Sequence, residues 1–387
     1  MAGVEEKRSF YSQNLRMEAQ GRTTKNDGMR SDYASASQFS SLTNAGVSVF
    51  YGDMGMLGNK VFYCAQGATP LSLFLLSVGQ LAVKDGEEAY APYFEEIARN
   101  GDYALRAARY ALPLAYCVDG GYNEAVAAYA AADGVLLQNA IAAAAGVLRP
   151  VMTLAAREVS FSAEFPAEAP AEFPAEGSAE VPSEGISEGE NACFVAPADG
   201  LYYMVCDTTK NADQATARFY DAMPTGEEEP AYKRTYPKLY QNYYLPFGTL
   251  REGEAVTLTV TERGTGKELP RFSGNIYRFD GEAFADVAAY FCGEAAETLE
   301  FTPDGAVFSV TTERTDALLA TSIPYDAGFR ISVDGTEVKP EEIERHMDAF
   351  LGVRIPKGTH IVSFKYRTPG LFTGAAVSAG SGFLALI

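Results

Sequence analysis

Leu319-Ala-Thr-Ser-Ile-Pro-Tyr-Asp-Ala-Gly-Phe-Arg-Ile-Ser-Val-Asp-Gly335 and Phe350-Leu-Gly-Val-Arg-Ile-Pro-Lys-Gly-Thr-His-Ile-Val-Ser-Phe-Lys-Tyr-Arg-Thr-Pro-Gly370 decide the reading of this chain. Within them Phe329–Val333 and His360–Tyr366 alternate with period two, and Asp334-Gly335 and Lys357-Gly358 punctuate them, the pattern of short strands joined by tight turns. Leu371 to Ile387 then runs for 17 residues without a charge. That is just under the roughly 20 residues that cross a bilayer. Gly374, Gly380 and Gly382 in this run suit close packing of helices in lipid. The expectation is a β module feeding the start of a transmembrane helix, the alternative being a buried or frayed terminal helix.

The same texture extends backwards. Phe194–Cys206, Ala255–Thr261 and Ala306–Thr311 read as strands, with Asp199-Gly200 and Asp304-Gly305 as turns. Gly281–Phe291 has helical character. The stretch Ala163–Asn191 separates this region from what precedes it. Glu recurs there every fourth residue, prolines interrupt it, and no Lys or Arg is present. Like charges and prolines forbid a packed helix, so 163–191 is expected to be an extended, disordered linker.

The N-terminal part mixes signals. Val47–Tyr51 and Lys60–Cys64 have strand composition, and Leu71–Val83 is an apolar run. Ala89–Asn100 reads as a helix with Pro92 in its first turn, and Tyr122–Leu148 as one or two Ala-rich helices ended by Pro150. The expected class is α+β. A mixed α/β region occupies 1–160, a jelly-roll-like β-sandwich region (one or two sandwiches) occupies 192–369, and the start of a membrane helix occupies 370–387.

Composition excludes several functions. A net charge of −20 over 387 residues opposes nucleic acid and a polybasic grip on anionic lipid. Five cysteines without a CxxC pair, and two histidines, give no metal-ligand pattern, so no metal or other cofactor is expected. Cys193 and Cys206 lie close enough for a disulfide or for two separate thiols. Met1–Arg8 is polar and opens no signal peptide.

Several phrases in order resemble the YfhO family of bacterial multi-spanning membrane proteins. They are Asn26-Asp27-Gly28-Met29, Gln38-Phe-Ser-Ser-Leu-Thr-Asn44, Gly55-Met56, Tyr110-Ala-Leu-Pro-Leu-Ala-Tyr116 and the two opening stretches. Phe329 stands where the family usually has Trp, and Gly79-Gln80 where it has Lys-Tyr. The resemblance implies a C-type glycosyltransferase that moves a sugar from a polyprenyl-phosphate carrier to a cell-wall polymer such as lipoteichoic acid. It places this region on the extracytoplasmic face of the cell membrane, orienting the acceptor. The catalytic acid of that architecture belongs to a loop among early membrane helices outside this sequence, so no catalytic residue is carried over. A carbohydrate- or wall-binding module and a scaffold for a partner membrane protein are the alternatives.

The candidate carbohydrate contacts are Tyr236, Tyr240 and Tyr243, in a locally basic, Tyr-rich stretch, and Ser40, Ser41 and Asn44. Aromatic faces stack on sugar rings, although such rings also build cores. Ser and Asn bond sugars, although they also close turns with their own backbone. Asp326 and Asp334 read as turn residues, His360 as packed or hydrogen-bonded, and His346 as exposed in a helical stretch over Pro340–Met347.

Overall fold

The computed structural model describes residues 15–20, 24–85, 87, 90–129, 134–162, 194–206, 212–220, 232–239, 243–262 and 271–384. The linker 163–191 and Cys193 therefore lie outside the described residues. Seven helices are described: α1 (Asp27–Ser31), α2 (Ala45–Asp53), α3 (Pro70–Leu75), α4 (Tyr122–Tyr129), α5 (Gly134–Ala144), α6 (Gly281–Cys292) and α7 (Leu371–Leu384). Strands outweigh helices and are distributed over several sheets, which makes the class α+β.

The chain forms two compact units, and they do not follow the order of the sequence. The larger holds Arg16–Ala111 and Ala125–Ala289; the smaller takes Leu112–Glu124 and joins it to Tyr290–Ile387.

In the smaller unit, one sheet has the order Glu297–Thr302, Gly305–Thr312, Gly358–Tyr366, Phe329–Val333, Thr336–Glu337. A second has the order Ile343–His346, Phe350–Ile355, Ala317–Pro324, Ala115–Asp119. The last strand comes from the N-terminal half, with Leu319 opposite Cys117 and Ala317 opposite Asp119. Alternate residues of both sheets share one core: Cys117, Leu319, Leu351 and Val353 from one, and Phe308, Val310, Ile331, Val362 and Phe364 from the other. Each fully buried Leu, Val or Phe contributes about 1.5–3 kcal/mol. Asp334 and Gly335 both have positive φ (51° and 80°), which builds the two-residue hairpin turn read from the sequence.

Among the described residues the larger unit contains four sheets. Arg16–Gln20 runs parallel to Val78–Lys84, which continues to Tyr103–Ala108 and Phe94–Asn100. A four-stranded sheet of Tyr244–Leu250, Gly200–Cys206, Arg271–Phe279 and Met152–Ser162 supplies Tyr202, Met204, Leu245, Phe247 and Ile276 to a second core. Phe194 and Val256, from a sheet of Phe194–Val195, Ala255–Glu262, Ala212–Tyr220 and Tyr232–Leu239, join that core. A small sheet of Gln38–Phe39, Phe62–Cys64 and Leu57–Gly58 adds Leu57 and Cys64 to it.

Three local expectations are corrected, and one apolar run is resolved into its elements. Val47–Tyr51 is helical, because the Asn44 side chain caps α2 through the Val47 N–H at 3.1 Å. Ala89–Asn100 is not a helix: Phe94–Asn100 is a strand that returns through the Gly101 turn onto Tyr103–Ala108, so pairing overrides propensity. The run Leu71–Val83 breaks at Ser77, which has φ 55°, into the buried α3 and the strand Val78–Lys84. Pro340–Met347 is a single 3-10 turn, Pro340–Glu342, followed by the strand Ile343–His346. As read from the sequence, α6 forms, with Asp280 Oδ1 accepting from the Glu282 and Ala283 amides.

The uncharged segment forms α7, 14 residues long, directly after the strand Gly358–Tyr366. Leu371 and Val377 are 58% and 64% exposed. Among the described residues, no helix is long and apolar enough to cross a membrane.

The inserted strand yields a prediction. A fragment of 290–387 alone leaves the Ala317–Pro324 edge unpaired and buries less of its core. Calorimetry should show no cooperative transition for it. Appending 112–124 through a flexible linker should restore one, and an unchanged transition in the short fragment would refute the pairing.

Candidate functional site

Two of the N-terminal phrases that carry the family resemblance, Asn26–Met29 and Gln38–Asn44, are bonded to each other in the larger unit. Asn26 and Phe39 are joined as if by a strand pair: Asn26 Nδ2 donates to the Phe39 carbonyl at 2.9 Å, and the Phe39 N–H donates to Asn26 Oδ1 at 2.7 Å. Thr24 donates to Asp27 Oδ1 through both N–H and Oγ, at 3.0 and 2.7 Å. The Ser40 N–H donates to the Val61 carbonyl at 2.9 Å.

A buried carboxylate holds the loop that leads into the second phrase. Glu18 is 1% exposed. It accepts from Ser35 Oγ (2.5 Å), the Ala36 N–H (2.6 Å), the Ser37 N–H (2.9 Å) and Ser37 Oγ (2.8 Å). The loop preceding Gln38–Phe39 is thereby moulded around one side chain. Arg16, two residues earlier on the same strand, donates to the Leu76 carbonyl at 2.6 Å. Burial lowers the pKa of its guanidinium, opposed by Tyr51, Tyr63 and Glu18. Tyr51 Oη donates to the Ala36 carbonyl.

Ser40, Ser41 and Asn44 are brought together on the turn between Gln38–Phe39 and α2. Ser40 Oγ accepts from the Leu42 N–H at 3.1 Å, Thr43 Oγ donates to the Ser40 carbonyl at 2.6 Å, and Asn44 caps α2. Local backbone bonding therefore engages Ser40 and Asn44, while Ser41 is exposed. The tyrosines are not gathered beside them. Tyr236 sits on the strand Tyr232–Leu239, opposite Ala215. Tyr240 lies outside the described residues. Tyr243 is 0% exposed and belongs to the core with Phe247 and Met204, which corrects its reading as a surface for sugar stacking. Its neighbour Tyr244 packs where Gly55 turns with φ 80°, and the Tyr244 N–H donates to the Gly55 carbonyl at 2.9 Å. A Cβ on Gly55 would overlap the Tyr244 ring, so the Gly55-Met56 phrase is a packing requirement.

In the smaller unit the C-terminal phrases lock to each other. Asp334 Oδ2 meets His360 Nδ1 at 2.7 Å, and Asp334 Oδ1 accepts from the Ile361 N–H at 2.8 Å. These bonds, that to His360 first, hold the Asp334 carboxyl below the usual carboxylate range. His360 Nε2 faces the Pro356 carbonyl at 3.0 Å. Asp326 Oδ1 accepts from the Gly328 N–H at 2.7 Å and closes its own turn. Phe329 packs edge-on to Tyr366, with centroids 5.1 Å apart.

His346 is not exposed. It is fully buried, with Tyr116 Oη 3.1 Å from Nε2 and Asn123 Oδ1 3.0 Å from Nδ1. The Met347 N–H also donates to Asn123 Oδ1, at 3.2 Å, which identifies that atom as the acceptor. The Nδ1 atom therefore carries the proton, and Nε2 accepts from Tyr116. Burial pushes the imidazole down to about 3. Neither Glu18 nor this trio stood out in the sequence, because their partners lie far away along the chain or are backbone amides. Among the described residues no group of three or more metal-ligating side chains comes together.

The chain matches the profile of the family described as "Bacterial membrane protein YfhO" over residues 4–378, and it belongs to that family. It is thus a member of a bacterial membrane protein family. No curated protein matches it. Among solved structures, the C-terminal domain of the BC2L-C lectin from Burkholderia cenocepacia is similar at 10% identity and a TM-score of 0.12. That similarity covers 44% of this chain and 92% of the lectin domain.

Two predictions test the buried groups. Glu18→Gln replaces an acceptor with an amide whose NH2 must face donors, and should cost about 2–3 kcal/mol in urea unfolding. An unchanged midpoint would refute the clamp. Below pH 6.5 an unfolded His346 takes up a proton that the folded one refuses down to about 3. Stability is full above that window and falls as pH drops through it, by about 1.4 kcal/mol per pH unit from this group. The stability difference between the native chain and His346→Gln, followed from pH 7.5 to 5, should show that slope.

Proposed function

We propose that this chain is the extracytoplasmic part of a YfhO-type membrane glycosyltransferase. The parent enzyme moves a sugar from a polyprenyl-phosphate carrier to a cell-wall polymer such as lipoteichoic acid, and this part orients the acceptor. Membership of a bacterial membrane protein family supports the setting. The observation that carries the reading is α7, an uncharged helix with exposed apolar side chains, separated by the four residues Arg367–Gly370 from a strand of a folded unit. Even its Ser381 hydroxyl is satisfied inside the helix, donating to the Val377 carbonyl at 2.8 Å. A serine hydroxyl bonded back to its own helix fits a lipid setting.

In this reading α7 leads into the membrane, and the two sheets of the smaller unit stack as a jelly-roll-like sandwich above it. The turn at Ser40, Ser41 and Asn44 offers hydroxyl and amide groups to a polyhydroxylated polymer, and Tyr236 and Tyr240 are read from the sequence as its aromatic contacts. No group on this chain is assigned to bond breaking. Its contribution is positional, raising the effective concentration of acceptor at the transferase centre.

Alkaline phosphatase fused at Gly370 within the intact gene should be active in cells, because the enzyme folds only outside the cytoplasm. An inactive fusion, alongside an equally abundant cytoplasmic reporter fused at the same point that is active, overturns the outer-face assignment. With the face established, Tyr236→Ala combined with Tyr240→Ala should reduce sugar on the wall polymer about tenfold, equivalent to about 1.4 kcal/mol of acceptor binding. Unchanged glycosylation would remove these tyrosines from the acceptor site.

A further inference from the structure

The outer face of the five-stranded sheet in the smaller unit carries a row of cations. Arg330 and Lys365 stand directly opposite each other on the strands Phe329–Val333 and Gly358–Tyr366. Both are exposed, while their sequence neighbours Ile331 and Phe364 fill the core. Arg367, two residues past Lys365, continues the same face and is exposed, and its N–H donates to the Gly328 carbonyl at 2.9 Å. Arg330 Nη1 leans back on the Phe329 and Ala327 carbonyls at 3.3 and 3.4 Å, which draws its guanidinium toward that end of the sheet. In the other direction along the same face, Ser332 and Ser363 stand opposite each other. Gly305 is the neighbour of Lys365 on its second side, so no side chain screens the ammonium there.

Like charges directly opposite on paired strands destabilise a sheet. Acids to quench them are in excess, with 51 Asp and Glu against 31 Lys and Arg. Other cations of this unit use that excess. Arg314 is paired with Asp119 and Glu294, Arg354 with Asp316 and Glu344, and Lys357 with Glu313. Lys365 and Arg367 meet no carboxylate among the described residues, and Glu337 stays 3.9 Å from Arg330 Nε. The Ser332 and Ser363 hydroxyls form no hydrogen bond to the described residues either. An anion from outside relieves the repulsion through charge-assisted bonds. Successive same-face residues of a strand lie about 7 Å apart, so Lys365 and Arg367 suit two neighbouring charges on one chain, with hydroxyl partners a further step along. A single phosphate, free or on a lipid headgroup, would engage the cations and leave the serine pair unused. We propose that Arg330, Lys365 and Arg367, with Ser332 and Ser363, form a binding row for a polyol phosphate polymer, phosphodiesters on the cations and polyol hydroxyls on the serines. This deepens the reading above and rests on it for the polymeric nature of the acceptor.

The probe is lipid-free poly(glycerol phosphate), labelled with a fluorophore at one end and added to the intact chain. Its anisotropy should report saturable binding that weakens as salt is raised. Lys365→Gln and Arg367→Gln should each weaken that binding about tenfold, the loss of one charge-assisted contact. Lys357→Gln removes a cation that Glu313 already pairs, and should leave it unchanged. The urea midpoint of Lys365→Gln should not fall, because the native pair repels, which separates lost binding from lost folding. An equal loss in Lys357→Gln would mean that the polymer is held by diffuse charge, and overturns the row. Binding that every variant retains, or none in the native chain, overturns it as well. In a parallel arm, the chain is floated with vesicles of phosphatidylcholine and phosphatidylglycerol. Vesicle binding lost in the same two variants, without polymer binding, assigns the cations to a lipid headgroup and overturns the polymer row. Polymer binding that needs Lys365 and Arg367, alongside an inactive phosphatase fusion at Gly370, supports the row and overturns the outer-face reading. No polymer binding alongside an active fusion overturns the row and leaves that reading standing.

Discussion

The pairing of Ala115–Asp119 with Ala317–Pro324 is the constraint on which the smaller unit depends. Without that strand, Ala317–Pro324 would present a row of open amides and carbonyls, a template for pairing with another chain. The same segment brings more than backbone. Tyr116 and Asn123 reach His346 from either side, and Cys117 enters the core beside Leu319. A histidine so enclosed is neutral, and its two nitrogens are assigned distinct roles by the atoms they meet. The specificity of the join therefore resides in a hydrogen-bonded ring as well as in apolar packing.

How much of this was legible depends on how local the cause is. Asp334-Gly335 and Gly281–Cys292 could be read because a turn or a helix cap is decided by neighbours a few residues away. Phe94–Asn100 could not, since its strand conformation comes from its partner Tyr103–Ala108 and its charged face mimics a helical one. The transfer of Leu112–Glu124 to the smaller unit was hidden for the same reason, as nothing within those residues names Ala317–Pro324. His346 was misread because Glu341, Glu342, Glu344 and Arg345 make the segment look solvated, while a strand turns one residue inward.

The candidate site was legible as phrases and not as chemistry. Ser40, Ser41 and Asn44 were visible as a polar group, and the structure bonds Ser40 and Asn44 to nearby backbone. Glu18, which fixes the loop Ser35–Ser37, gave no signal, because its partners are two amides and two serines with no characteristic spacing. Gly55, Asp334 and His360, all within family phrases, act as turn and packing determinants. In this chain the recognisable motifs mark where the fold is locked, and the solvent-facing residues between them are left to meet other molecules.

The absence of charge along α7 has an electrical meaning. A transmembrane voltage does work on a segment in proportion to the charge it moves, about 2.3 kcal/mol per elementary charge per 100 mV. Leu371–Leu384 carries none, so a change in membrane potential exerts no force on its side chains. Its depth in a bilayer would be set by hydrocarbon thickness and by the folded strand Gly358–Tyr366 at its N-terminal end, which acts as a mechanical stop. Were α7 seated in lipid, the unit it carries would keep a constant height above the bilayer whether the cell is energised or depolarised.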